Sequence, residues 1–199
     1  MSLGASITVA ITALVALVGY LATYTSNRWL AQRESRLERI NTQLSELYGP
    51  LLADLEGGNA AWDVFQEIAE RLGPRFWETG DPPNSEQAPL WQLWIQTVFQ
   101  PRNRRMADHI QTHVDLLLED EMPPSLVTLI ANTAAYDVLA ARWQGPHFPG
   151  KNREDYLVDG KYAFPRPELD SYVPSSFRAL KLAQRDLLGK LRRDSGPET

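Results

Sequence analysis

Two histidines in one predicted helix are the residues best suited to holding a metal ion. His109 and His113 lie in the segment DHIQTH, and their four-residue spacing would place both imidazoles on one helical face. The segment lacks the internal glutamate of the His-Glu-x-x-His metalloprotease pattern. We therefore expect hydrogen-bonded histidines at the edge of a bundle, with no bound metal or cofactor, and we assign no catalytic residue. A small metal-dependent enzyme centred on this pair is an alternative.

A cluster of arginines follows Pro101. Arg102, Arg104 and Arg105 lie in the segment PRNRR, and a run of charge in a helical protein is usually a solvated face. These side chains could also contact anionic lipid, or the acidic segment EDE at residues 119–121 of another chain. We therefore name the three arginines as a candidate interaction patch.

Other chemical motifs are incomplete. The segment GPHFPGKN, residues 145–152, contains part of a phosphate-binding loop, but Asn152 replaces the Ser or Thr that would hold magnesium. Pro146 and Pro149 also lack the backbone N–H groups that bind phosphate. Tryptophans recur at core-facing helical positions, which favours packing over a ligand cage. The residues concerned are Trp62, Trp91, Trp94 and Trp143.

Hydrophobic residues recur with helical spacing over most of the second part of the chain. Four or five amphipathic helices with short connections predict an all-α bundle over residues 57–192. Asn59, which follows Gly57 and Gly58, is a predicted N-cap of one of these helices. Residues 193–199 are predicted to form a disordered tail.

The segment 144–171 departs from this pattern, because it is too long for a plain connection in a compact bundle. Within it, Asp159 and Gly160 separate two β-prone runs, YLV and KYAF. An Asp-Gly pair between such runs is a short-hairpin signal. We predict a candidate functional loop that contains a small β-hairpin.

The N-terminal part of the chain is predicted to cross a membrane once. Residues 1–27 contain no charged side chain, and residues 7–24 form an apolar run about as long as a spanning helix requires. A secretory signal peptide is the competing interpretation, but it needs a basic segment before the run and a cleavage site after it. We predict a transmembrane anchor over residues 1–27.

Basic residues follow the apolar run and do not precede it. Arg28 and Arg33 flank the anchor, so the positive-inside rule predicts an external N-terminus and a cytoplasmic C-terminal domain. Trp29 lies at the same end, where amphipathic aromatic rings favour the headgroup level. We predict that Arg28, Trp29 and Arg33 lie at the membrane interface.

Beyond the anchor, leucines repeat at seven-residue intervals and predict a coiled-coil-like stalk over residues 28–56. Gly49-Pro50 should kink this helix, because proline removes a helical hydrogen bond. Tethering at a bilayer raises the effective concentration of parallel chains, so we expect self-association through the stalk. The seam consists of Leu30, Leu37, Ile40, Leu44, Leu47 and Leu51.

Composition restricts the classes of partner. The chain has 20 basic and 25 acidic residues and a net charge of -5, which argues against a nucleic-acid partner. It contains no cysteine, which is compatible with a reducing compartment.

Three stretches of the chain resemble a group of uncharacterised bacterial single-pass membrane proteins with LYGPL and DEMPP motifs. The stretches are ERINTQLSELYGPLLADLE, EDEMPPSL and FPRPELDSYVPSSFRALKLAQRDLLG. The likeness covers roughly residues 33–189 and implies a bacterial origin and a shared fold. Together with the predicted single span, a bacterial origin predicts a location in the inner membrane. Because the group has no known activity, the resemblance supplies no catalytic residue.

These features predict a membrane-anchored interaction or scaffold module that holds an unidentified cytoplasmic protein near the inner leaflet. We expect that the protein is not an enzyme. Two alternatives stay open, which are the metal-dependent enzyme described above and an effector that acts on membranes.

Overall fold

The computed structural model describes the backbone of residues 3–146 and 148–194. Within these ranges, it does not describe the side chains of residues 3–16, 18, 22 and 191–194. Within the described residues every regular element is helical and there is no β-strand, which confirms the predicted all-α bundle. The α-helices are α1 (Leu3–Thr42), α2 (Gly49–Ala69), α3 (Phe76–Thr79), α4 (Gln87–Trp94), α5 (Gln100–Thr112), α6 (Pro124–Trp143) and α7 (Arg166–Asp194).

The chain divides into two compact units. The first combines residues 1–41 with residues 181–199, and the second is residues 42–180. In the first unit, the Gln184 side-chain amide donates a hydrogen bond of 2.6 Å to Asn41 Oδ1. The domain divisions predicted after residues 27, 56 and 192 stay predictions.

The described residues include no helix that is both long enough and apolar enough to cross a membrane. The predicted anchor over residues 1–27 falls largely on residues 1–16, whose side chains lie outside the described part of the chain. Most of the predicted tail, residues 195–199, also lies outside it.

The second unit begins with residues that supply much of its core. Leu47, Tyr48 and Leu51 are at most 1% exposed, and Leu44 is 8% exposed. Burying one such side chain contributes about 1.5–3 kcal/mol. The C-terminal half of the predicted seam therefore packs inside its own chain, whereas Leu30 in the first unit is 39% exposed.

Two prolines are accommodated by π turns that immediately precede them. The turn Gln43–Tyr48 comes before Gly49-Pro50, and the turn Ile95–Phe99 comes before Gln100-Pro101. The backbone N–H of Gly49 donates to the carbonyl of Leu44, five residues back. A wider turn of this kind keeps the chain helical where proline removes a donor. A π turn thus stands directly before Gly49-Pro50, where the sequence predicts a kink.

The prediction that Asn59 is an N-cap is wrong, because α2 passes through Gly57 and Gly58 without a break. A glycine inside a helix costs about 1 kcal/mol. This cost is offset by burial on the same helix, where Leu55 is 3% and Phe65 is 1% exposed.

The predicted β-hairpin around Asp159-Gly160 is also wrong. The structure has short 3-10 turns at Arg153–Asp155 and Gly160–Tyr162 instead. Residues before the Asp-Gly pair pack against the core and do not pair with those after it. The Tyr156 side chain is 5% exposed, and the Val158 N–H donates to the Tyr136 hydroxyl at 3.5 Å.

Candidate functional site

A cavity of about 350 Å³ lies within the second unit, and we call it the aromatic cavity. Helices α2 to α6 contribute to its wall, together with the π turn Ile95–Phe99, the loop that precedes α7, and Arg166, the first residue of α7. Most of its lining is apolar. Its aromatic side chains are Trp62, Trp77, Trp91, Phe99, Tyr136 and Phe164.

The tryptophans of the cavity wall pack in defined pairs. The Trp62 ring meets Trp77 edge to face with centroids 5.5 Å apart, and Trp77 stacks on Trp91 at 6.2 Å. These separations are those that aromatic pairs prefer, so each ring restricts the orientation of its neighbours. The wall is therefore pre-formed, and it offers flat apolar surfaces to a ligand.

The loop between α6 and α7 closes one side of the cavity. Asn152 and Asp155 form a reciprocal capping box, and the Asp155 carbonyl accepts a hydrogen bond of 2.7 Å from the Trp143 indole. The Trp91 indole donates to the Tyr156 carbonyl at 2.8 Å. These bonds fix the loop to α4 and α6, so it forms part of the wall.

Asn132 lines the cavity and carries a buried acceptor. Asn132 is 0% exposed, and its Nδ2 donates a hydrogen bond of 2.7 Å to the carbonyl of Tyr162. Because a carbonyl only accepts, this bond fixes which end of the amide is the nitrogen. Asn132 Oδ1 is buried without a hydrogen-bond partner among the described residues, and Asn132 lines the cavity.

The predicted interaction patch of arginines is divided between different surroundings. Arg104 pairs with Asp137 at 2.6 Å and is 53% exposed. Arg105 binds Asp54 through two nitrogens, at 2.5 and 3.3 Å. Arg102 lines the cavity. The candidate interaction patch stays a prediction.

Arg102 is only weakly engaged by its nearest carboxylate. Its Nε lies 3.6 Å from Asp54 Oδ1, beyond hydrogen-bond distance, and Nε and Nη1 are both buried without a hydrogen-bond partner among the described residues. The ion pair with Arg105 already occupies Asp54. A buried donor without a partner loses its hydration, which favours binding of an acceptor there.

Two further donors lie in the wall. Trp77 Nε1 and Arg153 Nε are buried without hydrogen-bond partners in the described part of the chain. The other nitrogens of Arg153 are used, because Nη2 donates to the Trp77 carbonyl at 2.9 Å and Nη1 pairs with Asp159. Arg153 therefore ties the loop to α3, which carries Trp77.

Burial raises the pKa of the Tyr136 phenol to about 12. Desolvation also raises the pKa of Tyr172, whose hydroxyl lies 2.9 Å from that of Tyr48 and donates to Glu119 at 2.8 Å. Both phenols are neutral near pH 7. In the cavity, Tyr136 can accept or donate a hydrogen bond but does not serve as a base.

The two histidines lie at the end of α5, away from the lining of the cavity. Their rings stack with centroids 6.3 Å apart, and His113 Nδ1 lies 3.7 Å from Glu46 Oε2. No group of three or more metal-ligating side chains occurs among the described residues. Two of the residues predicted to lie at the membrane interface contact each other, since the Arg33 guanidinium lies 5.3 Å from the ring centroid of Trp29 on α1.

Sequence reasoning missed most of this site. The tryptophans were expected to pack, which they do, but Trp77 and Asn132 had no periodic signal that separated them from other residues. The loop that forms one wall was recognised by its length alone. Its function in the fold depends on contacts between segments far apart in the chain.

Comparison with known proteins adds no assignment. No family model, curated protein or solved structure matches the chain. The resemblance to bacterial single-pass membrane proteins stays a prediction.

Proposed function

We propose that this chain is a membrane-tethered binding module whose helical unit takes a small molecule into the aromatic cavity. The observation that carries the proposal is the composition of the cavity wall, which joins flat apolar surfaces to buried polar atoms without partners among the described residues. Ligand sites typically have volumes of about 300–1,000 Å³ and such a mixture of walls.

Binding is favoured over catalysis by the groups that line the cavity. Among the described lining residues, one side chain is a carboxylate, that of Asp159, and it forms an ion pair with Arg153. Tyr136 holds its proton because burial raises its pKa. A nucleophile beside a general base would be expected in a hydrolytic or transfer enzyme, and these residues do not supply one.

The tether is supported by the apolar run over residues 7–24 and by the arginines that follow it. In this proposal the anchor lies in a bacterial inner membrane, and the helical unit faces the cytoplasm as an interaction module. A cytoplasmic protein that recognises the module stays a prediction.

Self-association is proposed only for the part of the seam within the first unit. Leu44, Leu47 and Leu51 belong to the core of the second unit, which leaves Leu30, Leu37 and Ile40 to contact a second chain. Crosslinking of a single cysteine placed at Ser35 in membranes should detect this contact, and a wholly monomeric product would contradict it.

The proposed binding is tested with a variant that fills the cavity. Ala163 lines the cavity, so Ala163→Phe should occupy ligand space, whereas Ala60→Phe adds the same ring at an exposed position of α2. We expect a thermal-shift screen of small metabolites on the purified full-length chain to find a stabilising compound. At a hundred times its Kd, such a compound should stabilise the protein by about 2.7 kcal/mol.

The two variants should separate cavity binding from binding elsewhere. Ala163→Phe should lose the stabilisation, and Ala60→Phe should keep it. A screen that finds no stabilising compound, or one whose effect survives Ala163→Phe, would contradict the proposal.

A further inference from the structure

We propose that the aromatic cavity selects a small organic anion with a flat apolar body. Its negative group would bind Arg102 and the Trp77 N–H, and a donor on its body would meet Asn132. This inference rests on the proposed function and extends it, because it names the chemical class of the ligand and the groups that recognise it.

The positive charge of Arg102 is only partly compensated by its surroundings. Arg102 and Arg105 share one carboxylate, Asp54, and Arg105 holds it with the shorter contacts. The Arg102 side chain is 23% exposed, compared with 53% for Arg105. A guanidinium that is mostly buried and lacks a hydrogen-bonded anion is stabilised by a ligand carboxylate or phosphate, which it can bind through two nitrogens.

The backbone of α2 holds Arg102 in place. A methyl group at Gly57 would lie 3.4 Å from the guanidinium carbon, and one at Gly58 would lie 3.4 Å from Cδ. The arginine therefore extends along the glycine pair in van der Waals contact with the helix. Positioning by packing leaves less side-chain entropy to lose when a ligand binds.

The other arginines in the wall are better compensated. Arg153 is paired with Asp159, and Arg166 lies 3.5 Å from Asp170 and 3.7 Å from Asp63. Arg102 is therefore the cation of the cavity with the least local compensation. A positively charged ligand group would be repelled by Arg102 and could not accept hydrogen bonds from its unpartnered nitrogens. The wall therefore disfavours cations.

The polar atoms specify more than charge. The Trp77 indole only donates, so it also calls for an acceptor on the ligand. Asn132 Oδ1 is the accepting end of the amide, since Nδ2 donates to the Tyr162 carbonyl. The ligand should thus carry an acceptor group and a separate N–H or O–H donor, joined by a body that packs against the aromatic rings.

Three probes that share one ring test the selection for charge. Indole-3-acetate, indole-3-acetamide and tryptamine carry the same indole with an anionic, neutral or cationic end. We expect calorimetry on the full-length chain to show that indole-3-acetate binds at least about tenfold more tightly than the amide, and that tryptamine binds most weakly. Inorganic phosphate should bind weakly, because it lacks the apolar body.

Arginine variants on the same helix provide the matched comparison. Arg102→Gln should weaken binding of indole-3-acetate roughly ten- to a hundredfold, the range for hydrogen bonds to a charged group. Arg104→Gln removes an exposed arginine two residues away and should leave the affinity within about twofold. Circular dichroism and thermal unfolding of each variant show whether it is folded, and Arg102→Lys, which keeps the charge, should retain part of the affinity.

The results separate this inference from the proposed function. Equal binding of the acid and the amide, tighter binding of tryptamine, no effect of Arg102→Gln in a folded protein, or no binding of indole-3-acetate would each overturn the selection for anions. The proposed function would survive any of these results if another compound still showed stabilisation that Ala163→Phe abolishes. It would fall with the inference if no such compound existed.

Discussion

Three arginines within four residues of α5 have different surroundings. Arg104 and Arg105 are each half exposed and bound to a carboxylate, whereas Arg102 lies in the cavity wall beside a carboxylate that is already occupied. The sequence predicts a cluster of positive charge here, and it does contain one. Which arginine faces inward depends on Asp54 and on the glycine pair of α2, which are about fifty positions away in the chain.

At the same scale, Tyr136 makes stability depend on alkaline pH. Burial raises the pKa of its phenol to about 12 in the folded protein, compared with an ordinary value of about 10. Its contribution to the free energy of unfolding is complete below pH 10 and is lost as the pH rises towards and through 12. A pKa difference of about two between the folded and unfolded states lowers the free energy of unfolding by about 2.7 kcal/mol at most.

Comparison with Tyr136→Phe isolates this contribution. The variant should lose less than about 1 kcal/mol at pH 7, because the hydroxyl accepts only a long hydrogen bond from Val158. Between pH 10 and 12 the free energy of unfolding, measured with urea, should fall by less in the variant than in the native protein. Parallel curves would show that the phenol does not titrate as described. Other buried tyrosines titrate in both proteins and cancel in the difference.

At the scale of elements, both π turns end directly before an X-Pro pair, Gly49-Pro50 or Gln100-Pro101. The sequence indicates an interruption at the first of these, because glycine and proline stand inside a leucine repeat. It does not indicate the form of the interruption, in which Leu47 and Tyr48, just before Gly49-Pro50, are fully buried. The second π turn brings Ile95 and Phe99 into the cavity wall.

Gly49 is required by the first π turn. A methyl group there would lie 2.4 Å from the backbone carbonyl oxygen of Leu44, which cannot move without opening the turn. Gly49→Ala should therefore destabilise the protein by about 1–3 kcal/mol. Urea denaturation of the full-length chain measures the change.

Gly57→Ala is the matched control in the same helix. Its methyl group would make an ordinary contact of 3.4 Å with the Arg102 side chain, and replacing a helical glycine by alanine gains about 0.5–1 kcal/mol. Equal effects of the two substitutions would contradict the assigned role of Gly49. The local sequence predicts the helix-breaking tendency of Gly57 and Gly58, but tertiary burial of Leu55 and Phe65 overrides it.

At the scale of the whole molecule, helical periodicity was sufficient to predict an all-α bundle. It was not sufficient to predict the structure around Asp159-Gly160. This pair favours a hairpin turn locally, but the neighbouring Tyr156 is buried in the core. The cavity was also beyond a sequence pattern, because its wall combines residues of six helices, a π turn and a loop. A pattern reports what each segment buries and not the space left between segments.

The membrane anchor is tested by a charge in the apolar run. Leu14→Arg should largely abolish membrane retention, because arginine at the centre of a spanning helix costs about 2.5–3.5 kcal/mol. Sedimentation of membranes after carbonate washing measures the retained fraction. Full retention of the variant would contradict a single span.

Orientation is tested separately. The chain has no native cysteine, so single cysteines at Ser2 and Ser195 report the two sides. An impermeant thiol reagent applied to intact cells should label position 2 only. Labelling at position 195 would reverse the proposed topology.

The central claim is that a small molecule binds in the aromatic cavity, and the indole N–H spectrum of the six tryptophans tests it most directly. The Trp77 N–H lies in the wall without a partner among the described residues, whereas that of Trp143 is bonded to the Asp155 carbonyl outside the cavity lining. In protein labelled with ¹⁵N at tryptophan and assigned with Trp77→Phe, a stabilising compound should shift the Trp77 resonance and leave that of Trp143 in place. A compound that stabilises the protein while the Trp77 resonance does not move would contradict the claim.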